Sequence, residues 1–273
     1  MDVTQETDEI RNKLMYNMQT FMKDTRVLAI GGHPDDMEQF AGGTLILLKY
    51  AGCDITISAL TAGECGSKTV SGPEIKTIRL KEASIAAKLI GAKYINLDIP
   101  DGSLDYNLET TQKVAGLIRD INPDIIITHP VEDYMTDHFH AGRLVLWAVP
   151  EAGHPNFATA SKSPAITKQP YVYHTDPQGL TDAKGQIVKV NTVVDISDVI
   201  EEKLKAFAAH KSQMGFLAHR NKPNAVEKTR RWAITRGEQV RIGFAEGFYQ
   251  ELAAEYPKKN ILSEILKDKV TTI

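Results

Sequence analysis

The sequence predicts an α/β fold, a mostly parallel, doubly wound sheet flanked by helices. Two observations carry that prediction. Over the first 150 residues, short apolar runs alternate with segments of helical periodicity. The short runs are continuous in Ile, Leu and Val rather than alternating with polar residues, as expected of strands covered on both faces.

The elements follow in order. "RVLAIGG" (26–32) reads as the first strand and residues 37–51 as the first helix. "DITISAL" (54–60) is the second strand, and "PEIKTIRLKEASIAAKLIG" (73–91) a helix with Gly91 as its stop. A strand "YINLDI" (94–99), a helix over 108–121 and a strand "DIIIT" (124–128) come next. Ahead of them, Ile10, Leu14, Met18 and Phe21 recur at helical spacing. Residues 8–23 are therefore expected to be an amphipathic helix, and 1–25 an N-terminal helical extension. Residues 26–273 are expected to form a single Rossmann-like α/β domain with an elaborated C-terminal third. In that third, 155–170 reads as a loop, "YVYH" and "NTVVDIS" as strands, 198–213 as a helix and 218–231 as an exposed loop. "FAEGFYQELAAEY" (244–256) reads as a helix packed on its own domain, with a subunit contact as the alternative.

Composition narrows the function classes. The chain of 273 residues is 42% hydrophobic, enough for a large core, and its net charge of -3 offers no general attraction to nucleic acid. No apolar run approaches the ~20 residues that cross a bilayer, and the acidic, polar start lacks a signal-peptide pattern. Two cysteines are too few for a disulfide framework or a thiolate zinc knuckle. The expectation is a cytoplasmic protein without a membrane span.

In a doubly wound sheet, ligands bind beyond the carboxyl ends of the strands. Those ends read "GGHPDD", "TAGECGS", "PDGSL" and "HPVEDYMTDHFH", so polar, metal-capable residues gather on one rim. The first of them lies in "VLAIGGHPDDMEQFAGGTL" (27–45). A nucleotide site is disfavoured there, because the G-x-G-x-x-G spacing and a Walker lysine are missing and two carboxylates would repel phosphates. Helix capping needs one acid, not two acids and a histidine. A metal reading uses them all. His33 and Asp36 can supply two ligands from one turn, leaving Asp35 as a carboxylate beside the metal-bound water. A third ligand has to come from another strand end, where "DYMTDHFH" offers His138 and His140.

"HPDDMEQFAGGTL" resembles the His-Pro-Asp-Asp signature of the PIG-L/LmbE family of zinc-dependent N-deacetylases. The resemblance continues through "TAGECG", "RLKEASIAAKLIGA", "PDGSL", "NPDIIITHP" and "DYMTDH", covering about residues 26–148, with a weaker echo in "AHKSQ" and "FAEGF". It implies that His33 and Asp36 are zinc ligands and Asp35 the general base. The third ligand of the family is the histidine closing a His-x-Asp-His segment. "MTDH" (135–138) aligns with it, making His138 the ligand and His140 the rival. The same alignment puts Met135 where the family has a helper histidine, which stabilises the oxyanion or protonates the leaving amine. His140, His210 and His129 are the candidate substitutes.

For substrate binding the resemblance points to Arg79, whose alternative is an intrahelical ion pair with Glu82, and to Asp101, whose alternative is a turn-forming role. Glu64 sits on the same rim. Glu38 is expected either to orient a ligand or to favour the helix N-terminus, and Cys65 to be an incidental thiol. His154, His174 and His219 read as structural or exposed. The activity implied is a hydrolase with one Zn2+ per chain, or another divalent metal, that removes an N-acetyl group from an amino sugar or its conjugate. Alternatives are an amidase acting on a non-sugar conjugate, or a metal-containing sugar or ligand receptor with weakened catalysis. The partner expected is a small-molecule amino-sugar substrate rather than nucleic acid, with assembly into a homo-oligomer left open.

Overall fold

The computed structural model describes residues 24–216 and 224–273, so the expected N-terminal helix and His219 lie outside the described residues. Its strands are β1 (Arg26–Gly31), β2 (Asp54–Thr61), β3 (Lys93–Ile99), β4 (Ile125–Thr128), β5 (Tyr171–Thr175), β6 (Thr192–Asp195), β7 (Ala245–Gln250) and β8 (Val270–Thr272). They form one sheet of order β3-β2-β1-β4-β5-β7-β6-β8. The pairs from β3 to β5 are all parallel, and β7, β6 and β8 continue the sheet by antiparallel pairing.

Burial on both faces accounts for the continuous apolar strands. In β1, Val27 and Ala29 join one core with α1 (Asp36–Tyr50), while Leu28 and Ile30 join the other with α3 (Leu108–Ile121) and α4 (Thr136–Gly153). Successive side chains of a strand point to opposite faces, so both sets must be apolar. Helix α2 (Gly72–Ile90) packs beside α1 and ends at Gly91, whose left-handed φ of 80° matches the expected stop.

The chain winds outward from β1 to β3 and then crosses to β4 on the other side of β1. The strand order therefore reverses at the β1–β4 pair, and a crevice opens beyond their carboxyl ends. Thr61 at the end of β2 closes one flank, its amide and hydroxyl each donating to Gly32 O at 2.9 Å.

The C-terminal third departs from expectation in three places. Residues 244–256 do not form a helix; β7 takes up 245–250 of the segment, between β5 and β6. Its buried Glu246 accepts from the amides of Gly43 and Thr44 at 2.8 Å each and pairs with Lys203 at 2.7 Å, so a charged residue suits an interior strand. The helix expected over 198–213 is divided into α5 (Ile200–Phe207) and α6 (Lys211–Phe216), with His210 between them. Residues 225–231 of the segment read as an exposed loop are instead the start of α7 (Ala225–Glu238), capped by Asn224 through the Glu227 amide at 2.8 Å. Its charges are not simply solvated. Arg236 is buried in an ion pair with Asp176, and Arg230 meets Glu201 at 2.7 Å. Among the described residues no helix is long and apolar enough to cross a membrane.

Helix α4 lies so close to the end of β4 that a Cβ on Gly142 would stand 2.5 Å from His129 O and 2.6 Å from Pro130 O. Gly142→Ala should therefore lower stability by about 1–3 kcal/mol, read from the urea midpoint. An unchanged midpoint would contradict this packing.

Candidate metal centre and active-site cavity

The turn after β1 carries the first three groups. Helix α1 starts at Asp36, and Asp35, at its N-cap, makes no capping bond with its side chain. Asp36 Oδ2 instead accepts from the His33 amide at 2.6 Å, which folds the turn back on itself. Asp35 Oδ1 accepts from Arg79 Nη2 at 2.7 Å. The adjacent acids thus meet different partners. One faces the histidines and the other an arginine.

His138 reaches the same point from the first turn of α4. Its Nε2 is 3.2 Å from Asp36 Oδ1, and the His33 and His138 ring centroids are 5.4 Å apart. One donor atom each from His33, Asp36 and His138 lies within 4.8 Å of the others. His138 Nε2 is buried and makes no hydrogen bond, an orphaned ligand atom of the kind a cation would complete. Two imidazoles and a carboxylate form a suitable donor set for a catalytic divalent metal. His140 is two residues along the same helix, about 200° further around it. Its Nδ1 is 3.9 Å from Asp105 Oδ1, and it stands outside both this cluster and the cavity wall.

Each of the three groups is held on its far side, as metal ligands commonly are. His33 Nε2 lies 3.2 Å from Asp101 Oδ1 and 3.4 Å from Asp137 Oδ2. His138 Nδ1 lies 3.4 Å from Asp133 Oδ2, and His129 Nε2 lies 2.8 Å from Asp36 Oδ2. The sets His33–Asp101–Asp137 and His129–Asp133–His138 also have metal-like spacing. They consist of these supporting contacts around the central three. His129 is fully buried, stacked on His138 at 4.0 Å, and its backbone oxygen meets His174 Nδ1 at 2.7 Å. Of the acids, Asp133 and Asp137 have a legible signal in "EDYMTDH", where both shortly precede a candidate ligand.

Charge in the cluster is strongly coupled. Burial opposes a positive His138, but Asp36 and then Asp133 outweigh it and push the imidazole up to about 9. Burial likewise opposes charge on His33, and Asp36, Asp101 and Asp137 together hold it well above its usual range. For Asp36, burial is overcome by His138, His129 and His33, which keep the carboxyl well below the ordinary range. Asp101 is lowered to about 2, burial being overcome mainly by its contact with His33.

These groups form the floor of a cavity of about 620 Å³. Arg79 reaches it without pairing with Glu82, which instead accepts from Ser212 N and Oγ at 2.9 and 2.6 Å. Arg79 Nη1 donates to Gly63 O at 3.0 Å, and a Cβ on Gly63 would fall on the guanidinium. With its φ of 70°, that position needs glycine. Asp101 lines the cavity, but both its oxygens are engaged, one with His33 and the other with the Cys65 amide at 2.9 Å. Glu64 lies behind it, accepting from the Asp101 amide at 2.9 Å. The Cys65 thiol is pushed up by burial and then by Asp101 and Glu64, which disfavours a thiolate. His210 is fully buried off the cavity, its Nε2 3.7 Å from Glu38 Oε1. Met135 does line the cavity, as do Tyr134, Gln178 and Gln213, and α7 contributes Lys228 and Trp232. The sequence offered no sign of these last two, Lys228 because 218–231 reads as an exposed loop and Trp232 because it falls just beyond that segment, where no element is predicted.

A pH dependence follows from His138. In the presence of a chelator its folded value of about 9 exceeds the ordinary 6.5. The stability it contributes is complete below pH 6.5 and is lost as pH rises through about 9. The urea midpoint should fall across that window. Added zinc should abolish the fall, because the cation takes the place of the protons. A flat profile in chelator would refute the assignment.

The family model for PIG-L, described as GlcNAc-PI de-N-acetylase, matches residues 28–149. A diacetylchitobiose deacetylase from Thermococcus kodakarensis is 36% identical over 199 residues, spanning 69% of this chain and 70% of that protein. A probable N-acetyl-alpha-D-glucosaminyl L-malate deacetylase 2 from Bacillus cereus is 31% identical over 202 residues, 70% of this chain and 84% of that protein. The solved N,N'-diacetylchitobiose deacetylase from Pyrococcus horikoshii superposes with a TM-score of 0.72 at 26% identity, covering 96% of this chain and 98% of that one. The chain belongs to the PIG-L deacetylase family.

Proposed function

We propose that this protein is a metal-dependent hydrolase that removes the N-acetyl group from an amino sugar or its conjugate. The observation that carries the reading is the orphaned Nε2 of His138, facing Asp36 and His33, with Asp35 beside them on the cavity floor. The two relatives act, by their names, on different conjugates of an N-acetylated glucosamine, which supports the amino-sugar half of the substrate.

His33, Asp36 and His138 would hold the cation, and two imidazoles with a carboxylate suit Zn2+. When bound, the cation supplies Lewis acidity to water and to the amide carbonyl. Asp35 then serves as the general base. It makes no capping bond, it reaches the cavity, and Arg79 holds one of its oxygens. As the water oxygen bonds to the acyl carbon, Asp35 takes its proton. As the C–N bond breaks, the same carboxyl can return that proton to the departing nitrogen, leaving a free amine and a carboxylate. This dual use answers the absence of a helper imidazole at Met135, a side chain without a transferable proton. His140 and His210, both off the cavity wall, are not needed as donors. Arg79 positions the base, Asp101 holds His33 at the cavity edge, and Glu64 acts through the Asp101 turn. A cytoplasmic setting goes with this reading, supported by two free cysteines, Cys53 and Cys65.

Met135 also favours a second reading, a metal-containing ligand-binding protein with weakened turnover. A panel of N-acetylglucosamine derivatives, assayed for free amine with a chelator control, separates the two. Amine release that the chelator removes supports the hydrolase; saturable binding without amine supports the receptor. Asp35→Asn should lower kcat by about 10²–10⁴-fold while the zinc content stays near one per chain. His138→Ala should lose the zinc itself. Near-normal turnover in Asp35→Asn would refute the role given to this carboxylate.

A further inference from the structure

The cavity is not uniform in charge. Its floor holds Asp35, Asp36, Asp101 and Asp137, while α7 brings Lys228 and Trp232 to the wall four residues apart on one helix face. Among the described residues two Lys or Arg side chains line the cavity, and they differ. Arg79 is committed to Asp35 and Gly63 O, whereas Lys228 has no ion pair or side-chain hydrogen bond among the described residues.

Lys228 and Trp232 are held in position. Asn224 caps α7 at one end, and the buried Arg236–Asp176 pair anchors it near the other. Between them Gln39 Nε2 donates to Thr229 Oγ1 at 3.1 Å. Trp232 lies stacked on Phe40, centroids 6.0 Å apart and planes within 14°. The Phe40 ring in turn meets His138 edge-on at 5.7 Å. Two ring spacings therefore separate the candidate ligand His138 from Trp232. One sugar residue can span that interval with its acetamido group over the metal ligands, bringing whatever is attached to it to Trp232 and Lys228. A cavity of about 620 Å³ has room for both halves.

We infer that the α7 wall is a subsite for an anionic aglycone. The substrate class is an N-acetylated amino sugar whose second half carries a carboxylate or phosphate. That anion pairs with Lys228 Nζ, and the apolar edge of the conjugate lies on Trp232. The inference rests on the deacetylase reading of the floor, and it divides acidic conjugates from neutral oligosaccharides of the same sugar.

The test compares three glycosides of N-acetylglucosamine with the zinc-loaded full chain: the neutral methyl glycoside, a hydroxy-acid glycoside and the 1-phosphate. At least one anionic substrate should exceed the neutral one tenfold or more in kcat/KM, with the difference in KM and diminishing as NaCl is raised. The two anionic arms tell carboxylate from phosphate. Lys228→Gln should bring the anionic-to-neutral ratio close to one, and Lys228→Glu should invert it. A wild-type ratio near one, or a ratio that Lys228→Gln leaves intact, overturns the subsite. Binding supplies a readout that does not need turnover. In a Trp147→Phe background, the deacetylated anionic conjugates should quench the fluorescence of Trp232, and Lys228→Gln should weaken that binding at least tenfold. Lys228-dependent quenching without any amine release would remove the deacetylase reading and keep the subsite. Equal binding of neutral and anionic conjugates would remove the subsite, whatever the turnover.

Discussion

The carboxylate of Asp36 is the joint on which the site depends. Its Oδ2 takes the His33 amide from its own turn and the His129 imidazole from the end of β4, and its Oδ1 faces His138 on α4. These contacts bind together the two strands between which the sheet reverses its order and the helix that follows the second. A buried carboxylate without partners would be costly, and removing one partner of such a network is generally more damaging than never having built it. Folding thus brings the ligands together before any cation is considered.

The same arrangement gives adjacent acids unlike surroundings. Asp36 points into a cluster of imidazoles, whereas Asp35 meets a guanidinium delivered by α2. The peptide bond between them does little to couple their environments. Outside the central three, Asp101, Asp133 and Asp137 hold the imidazoles by the nitrogens turned away from the center. The acidity of the rim is therefore mainly an orienting device. In such a rim Lys228 on α7, without an ion pair among the described residues, stands out as a different kind of feature, suited to the part of a ligand that does not react.

The C-terminal third shows how paired charges mislead sequence reading. Glu246 and Arg236 are charged residues of interior elements, Glu246 buried against Lys203 and two helix amides and Arg236 against Asp176. A pattern of apolar periodicity does not register partners that are 43 or 60 residues away. Without those partners, 244–256 reads as a helix rather than as β7 and 218–231 as a loop rather than as the start of α7, and the cavity wall that α7 supplies is missed with them.

The sequence by itself determined the parallel sheet, the strand ends as the place where polar residues gather, and the crowding of His33, Asp35 and Asp36 in one turn, because these are local facts. A run of buried-type residues makes a strand, and three groups within four residues share one turn. The choice between His138 and His140 was only weakly legible, since residues two apart differ in direction only once they are known to lie on a helix. Tertiary structure decided that Arg79 grips Asp35 rather than Glu82, that His129 supports Asp36 from behind, and that Trp232 and Lys228 face the cavity. Each of those contacts joins elements far apart in the chain, and their meeting depends on how the sheet orders its strands and how the helices pack against it.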